Sequence, residues 1–235
     1  MIGQEDSDMS RRLVLATANP HKVRELAALV QTAGLPLTVC SARSLGPAPE
    51  IAEDQGSFEA HARIKALGIA AWLRSRGEPG TTLVLADDSG ICVDALDGAP
   101  GVDSAYFAGP QADDAANNAR LVAELGARGL VRSPAHYLCV LALTRVDARR
   151  LPEADGAVRL FTGRWDGEVR TTPRGTGGFG YDPYFWPDGS ARSSAELPPE
   201  EKNAQSHRGR ATALLLAALP AVLAEGDEGR EGGGV

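Results

Sequence analysis

The sequence predicts an α/β fold in which a mixed central sheet is flanked by helices. Three observations predict it. Apolar β-type runs alternate with amphipathic helical segments through the first half of the chain, as parallel strands joined by helical crossovers do. Two long β-type segments, 135–146 and 157–170, then follow one another without a helix between them, which reads as an antiparallel pair and makes the sheet mixed. No internal repeat and no long linker divides the 235 residues. The expectation is one domain over 12–224, with polar, flexible tails at 1–11 and 225–235.

Each element has its own signal. RLVLAT (12–17) reads as a buried strand and HKVRELAALVQTAG (21–34) as a helix with Gly34 at its C-cap. PLTVC (36–40) is a second strand, followed by a loop over 41–56 rich in proline, glycine and acids. SFEAHARIKALGIAAWLRSRG (57–77) is a helix with Ser57 as N-cap and Gly77 as terminator. TTLVLAD (81–87) is a third strand and ICVDAL (91–96) a short fourth, with Ser89-Gly90 as the turn between them. GAPGVDSAYFAG (98–109) is a loop or edge, and DDAANNARLVAELGARG (113–129) a helix. The two long strands enclose an insertion-like loop, LPEADGA (151–157), and a last helix covers 206–224.

Composition excludes several classes. The net charge of −7 disfavours a general nucleic-acid binder, which carries a basic face. Cys40, Cys92 and Cys139 lie far apart in apolar stretches with no CxxC. They read as reduced core residues of a cytoplasmic protein. Arg11-Arg12 before LVLATA hints at an export signal, but Asn19-Pro20-His21-Lys22 breaks the apolar run. The run ATALLLAALPAVLA is too short to span a membrane. The sharpest fact is a census: 21 arginines against three lysines, Lys22, Lys65 and Lys202. A chain that uses arginine almost everywhere keeps lysine where a compact, flexible ammonium is wanted, as at a phosphate.

Four constellations carry candidate chemistry. TANPHK (17–22) is a strand-to-helix turn, where free N–H groups and the helix dipole favour an anion. Thr17, Asn19 and Lys22 add donors there, although Asn19 and Pro20 also make a plain cap. Glu50, Glu53 and Asp54, with Asp87 and Asp88, are carboxylates at strand ends able to share Mg²⁺. Because strand residues alternate in facing, one of Asp87 and Asp88 faces the pocket and the other holds the turn. RGTGGFGYDPYF (174–185) contains GxGxxG, but Pro183 disfavours the helix a dinucleotide fingerprint needs. It reads instead as a loop in which Phe179 or Tyr181 stacks on a flat ligand and Asp182 accepts hydrogen bonds. In EEKNAQSHRGR (200–210), one regular helix would splay Lys202 and His207 by about 140°. A helix starting near Ser206 instead puts His207 and Arg208 in its first turn, at a cost against the dipole that suggests an acceptor ligand.

In this order, TxNxxK, the acidic loop before FEAHARIKA, LADDSG, GAPG, GTGGFGYDP and EKNAQSHRGRA, the chain resembles the inosine triphosphate pyrophosphatase family over residues 12–222. The string GTGGFGYDP with a downstream SHR is the specific part. The resemblance implies a mixed α/β fold of two lobes with a substrate cleft between them, usually as a homodimer. It implies Mg²⁺-dependent hydrolysis of ITP, dITP and XTP to the monophosphate and pyrophosphate. Position by position, Thr17, Asn19 and Lys22 resemble a phosphate-binding turn, Glu53 a metal ligand, and Lys65 a phosphate contact. Asp88 resembles the metal ligand and proton acceptor, which leaves Asp87 to hold the turn or support its neighbour. Ser89 resembles a substrate contact. Phe179, Gly180, Tyr181 and Asp182 resemble the base-holding loop, and Lys202, His207 and Arg208 the remaining nucleotide contacts. Ala18 and His61 depart from the family pattern, where many relatives have Gly and Asn. A Maf-type pyrophosphatase of different base specificity and a non-catalytic nucleotide-binding module would use similar residue types.

Overall fold

Alternating apolar side chains build a six-stranded sheet, and the helices close over its two faces. In the computed structural model, which describes residues 11–17, 19–52, 56–147 and 157–225, the strands are β1 (Arg11–Leu15), β2 (Leu37–Ser41), β3 (Leu83–Val93), β4 (Arg132–Arg145), β5 (Arg159–Arg170) and β6 (Phe185–Pro187). The helices are α1 (Pro20–Thr32), α2 (Phe58–Ser75), α3 (Asp114–Ala127), α4 (Pro199–Gln205) and α5 (His207–Glu225). The sheet order is β2-β1-β3-β4-β5-β6. β1 runs parallel to β2 and β3, and the remaining pairs are antiparallel. The sheet is mixed, as the two long strands predicted.

The caps of α1 and α2 fall where the sequence placed them, and α3 adds one at Asp113. Asn19 accepts from His21 N at the start of α1, Ser57 from Ala60 N at the start of α2, and Asp113 from Ala116 N at the start of α3. Gly34 and Gly77 take positive φ just beyond α1 and α2, which glycine does without strain. Along the strands, Leu13, Leu15, Leu83, Leu85, Cys139 and Leu141 pack against Leu26 and Val30 of α1 and Ala211 and Leu215 of α5. Val14, Val84, Ala86, Val140 and Ala142 face the other way, onto Ala62, Ala66, Ile69 and Leu73 of α2. Farther along, Ile91, Val93, Tyr137 and Trp165 pack with Leu121 and Leu125 of α3.

Two expectations are corrected. Ser89-Gly90 is not a turn, because β3 is one strand whose every residue from Leu83 to Val93 pairs with β4. Gly90 serves a close approach instead: a Cβ there would lie 2.3 Å from Gly101 O and 2.4 Å from Ser104 Oγ. The 98–109 segment contains a 3₁₀ helix, Gly101–Tyr106, whose Ser104 Oγ accepts from Ile91 N at 2.9 Å. The C-terminal helix is preceded by a separate one, α4. Ser206 between them is extended (φ −67°, ψ 160°), and its Oγ accepts from Gly209 N at 3.1 Å. α5 thus starts at Ser206 as expected, while α4 and the short β6 were not anticipated. No helix among the described residues is long and apolar enough to cross a membrane. Ala18, Glu53, Asp54, most of the LPEADGA loop and both tails, apart from Arg11 and Glu225, lie outside the described residues.

Where β5 passes beneath the start of α5, contact is backbone to backbone. A Cβ on Gly163 would stand 2.0 Å from His207 O and 2.6 Å from Ala211 N. Gly163→Ala therefore drives the first turn of α5 off the sheet. The expected loss is about 1–3 kcal/mol of unfolding free energy, measured by urea denaturation.

Candidate active site

β1 pairs with β3 only across Leu83–Leu85, and Ala16 N closes the pairing on Leu85 O at 2.8 Å. β3 then runs on to Val93 with β4 alone. Beyond Leu85, among the described residues, no strand continues β1 along that edge. This is the carboxyl end of the parallel strands, the usual crevice for ligands in open α/β sheets.

Period two divides the aspartate pair at this point. Asp87 shares the face of Leu83 and Leu85, toward α1 and α5. Lys22, in the first turn of α1, donates to its Oδ1 at 2.7 Å; Arg208, in the first turn of α5, donates Nε to its Oδ2 at 3.0 Å. Arg208 also approaches Ser89 Oγ at 3.4 Å. Asp88 shares the face of Val84 and Ala86, toward α2. Lys65 donates to its Oδ1 at 2.7 Å, and His61 Nδ1 lies 3.5 Å from its Oδ2. Asp87 therefore holds no turn; it holds two cations from two helices. Burial alone would raise its pKa, but Arg208 and Lys22 outweigh burial and hold the carboxylate well below its usual range.

The third aspartate organises the glycine-rich loop. Asp182 is buried and accepts from Phe179 N and Ser194 Oγ, each at 2.8 Å, and from Lys202 Nζ. Gly178 permits this: its φ is +75°, and a Cβ there would meet Asp182 Oδ2 at 2.1 Å. Each of the chain's three lysines thus faces one aspartate of the site. Of the two aromatic candidates, Phe179 presents the open ring, 63% exposed, with Lys202 Nζ 4.9 Å and Arg208 Cζ 5.8 Å from its centroid. Tyr181 is buried, and its hydroxyl donates to Ser104 O at 2.8 Å.

His207 is buried and stacks on Tyr137, with centroids 4.7 Å apart and planes 7° from parallel. Its Nδ1 has no hydrogen-bond partner among the described residues. Burial, reinforced by the Arg208 charge, pushes its pKa down to about 3, so the imidazole is neutral at physiological pH. Cys139, under the same face, is pushed up to about 12 by burial and by Asp87, and stays a thiol.

Thr17, Lys22, Asp87, Ser89, Phe179, Gly180, Tyr181, Asp182, Lys202, His207 and Arg208 line one cavity of about 670 Å³. Asp88 and Lys65 lie across β3 from it, and Asn19 Oδ1 caps α1. Glu53 lies outside the described residues. Asp114, Ser104 and Tyr137 also line the cavity. Sequence reading missed them, since Asp114 looks like part of a cap and Tyr137 like any alternating strand residue. Among the described residues, no three His, Cys, Asp or Glu side chains group as a metal cage.

The Ham1 family model matches residues 13–218. The chain belongs to the Ham1 family. Its relatives include a dITP/XTP pyrophosphatase of Opitutus terrae, 43% identical over 208 residues, covering 87% of this chain and 96% of that one. Another, the dITP/XTP pyrophosphatase of Geobacter sulfurreducens, is 45% identical over 204 residues, covering 87% and 94%. The solved structure of a Ham1 protein from Coxiella burnetii superposes with a TM-score of 0.79 at 34% identity, covering 90% of this chain and 99% of that one. The family resemblance carried by the motifs is borne out, as is the mixed α/β architecture.

The neutral His207 makes stability depend on pH. Its folded pKa of about 3 lies below the unfolded value of roughly 6.5, so the unfolded chain takes up the proton first. The stability tied to neutral His207 is complete above about pH 6.5 and is lost as pH falls toward 3. Asp87, whose folded pKa is depressed, adds its own loss as pH falls through the ordinary carboxylate range and below it. Urea unfolding should weaken from pH 6.5 to 4.5, and His207→Gln should flatten that decline; equal slopes would contradict the assignment.

Proposed function

We propose that this Ham1-family protein hydrolyses the non-canonical purine nucleoside triphosphates ITP, dITP and XTP to the monophosphate and pyrophosphate. One observation carries the reading. All three lysines sit on aspartates of β3 and the 179–182 loop, and the open Phe179 ring stands beside Lys202. That arrangement offers cations for a polyphosphate and a platform for a flat base. The activity named for relatives that match nearly nine-tenths of this chain supports it.

In this reading the base stacks on Phe179, between the Lys202 and Arg208 charges. Arg208 and a neutral His207 N–H donate toward an oxygen at purine position 6. Adenine presents an amino donor there and leaves those groups unpaired, at roughly 1–3 kcal/mol each. The phosphates lie at Thr17 and the start of α1, where backbone N–H groups and the helix dipole favour anions. Lys22 exchanges its aspartate for phosphate oxygens, while Lys65, across the open edge of β3, keeps Asp88 and offers its remaining N–H donors to a phosphate. Ser89 contacts the substrate beside Asp87.

Mg²⁺ fits the donors present. It takes oxygen ligands and needs only one or two carboxylates when phosphates and water complete its shell. Asp88 and Glu53 would hold it, and when bound it neutralises charge on the phosphates. Asp88 orients the attacking water and takes its proton on a carboxylate oxygen, while Lys65 fixes Oδ1 in place. The water oxygen bonds to the α-phosphorus, the bridge to the β-phosphate breaks, and pyrophosphate departs. Little covalent help is needed, so positioning and charge carry the rate. Residues 12–224 act as one catalytic unit, the cavity is the cleft between two lobes, and the protein works as a cytoplasmic homodimer without nucleic-acid or membrane partners.

The deciding experiment is pyrophosphate release across a panel of nucleoside triphosphates, with and without Mg²⁺. ITP, dITP and XTP should exceed ATP by on the order of 10²-fold in kcat/KM, and chelation should abolish release. Equal values for ITP and ATP would sink the proposal. Asp88→Asn should still bind ITP but lose turnover by about 10²–10⁴-fold. Near-normal turnover in that variant would remove Asp88 from the chemistry.

A further inference from the structure

We infer that the first turns of α3 set the ring of Phe179, with Asp114 and Asn118 as positioning residues for the surface on which the base lands. The inference rests on the reading of Phe179 as that surface.

Phe179 stands between two glycines of positive φ, Gly178 at +75° and Gly180 at +59°. Such a segment has little intrinsic stiffness. Its backbone is nevertheless held by side chains on three sides. Phe179 N donates to Asp182 Oδ2 at 2.8 Å. The next residue is gripped by α3 through both of its backbone polar groups: Gly180 N donates to Asp114 Oδ2 at 2.6 Å, and Gly180 O accepts from Asn118 Nδ2 at 2.9 Å. The spacing of four places Asp114 and Asn118 on one face of the helix.

The helix itself is firmly seated. Leu121 and Leu125 are fully buried against Ile91, Tyr137 and their neighbours. Asn117 Oδ1 accepts from Ala108 N at 2.8 Å, and its Nδ2 donates to Ala105 O at 3.1 Å. The loop is thus tied to a rigid element more than sixty residues away in sequence. What these bonds fix is an exposed ring. Loops pinned for stability bury their apolar groups, whereas this one displays its phenylalanine to the cavity mouth. Holding it in place beforehand removes an ordering cost from ligand binding.

Asp114 also lines the cavity, so its carboxylate could meet the ligand directly. The conservative variant separates the two roles, because asparagine keeps an oxygen acceptor for Gly180 N and loses the charge.

The test compares the KM for ITP, the kcat, and inhibition by inorganic tripolyphosphate, which has no base. Asp114→Ala and Asn118→Leu should each raise the KM about tenfold, the loss of one or two hydrogen bonds. The kcat should stay within about twofold, and tripolyphosphate inhibition should not move. Asp114→Asn should restore the KM. Phe179→Ala, the reference, should show the same split more strongly. If Phe179→Ala leaves ITP and tripolyphosphate affinities in their wild-type ratio, the platform reading fails. If it changes that ratio and neither α3 variant does, the α3 assignment fails alone. An Asp114→Asn variant as poor as Asp114→Ala would overturn the positioning role of Asp114. So would α3 variants that weaken tripolyphosphate as much as ITP.

Discussion

β3 outlasts β1. Where the parallel partner stops after Leu85, the strand carries two adjacent carboxylates along an edge that no strand covers among the described residues, and its alternation sends them to opposite faces. The helices are arranged around this fact. α1 and α5 meet at Asp87 through Lys22 and Arg208, and α2 meets Asp88 through Lys65. Lys22 and Arg208 occupy first turns, where the helix dipole opposes a positive charge. They are tolerated because Asp87 answers both. Neither the aspartate nor its partners could be so enclosed alone, since an uncompensated buried charge costs several kcal/mol.

The three lysine–aspartate pairs also describe how a highly charged ligand could enter. The site is closely balanced in charge before anything binds, so the fold does not depend on a ligand to neutralise it. An arriving polyphosphate competes for ammonium groups already held by aspartates of β3 and of the 179–182 loop. In a chain that otherwise uses arginine, lysine keeps these three places, where a compact ammonium on a flexible stem can turn between partners. The neutral His207, stacked on Tyr137, supplies a donor without adding to that charge.

Much of this was legible in one dimension. Caps at Asn19 and Ser57, the restart of the helix at Ser206 and the lysine census all rest on local chemistry, and local chemistry survives folding. The division of Asp87 from Asp88 follows from strand alternation alone. Gly90 was not legible, because glycine allows a turn and glycine allows a close approach, and the sequence looks the same in both. Ser104 and Gly101, which decide between them, arrive a dozen residues later on a separate element. The role of Tyr181 was hidden in the same way, since only the fold shows that its ring is enclosed while that of Phe179 is open. Asp114 and Asn118 carry no motif; they matter through Gly180, more than sixty residues away.

The concentration of lysine at the site has a practical side. A reagent that acylates lysine amines can find only Lys22, Lys65 and Lys202 in the whole chain. Each is at least partly enclosed by its aspartate pairing. Modification at any of the three reports on the cavity or on the face of β3 behind it, with no background from lysines elsewhere. The extent of labelling, read residue by residue by mass spectrometry, would map which ammonium a bound molecule shields. The protein carries its own footprinting probe, built in by the same preference for arginine that first set those three positions apart.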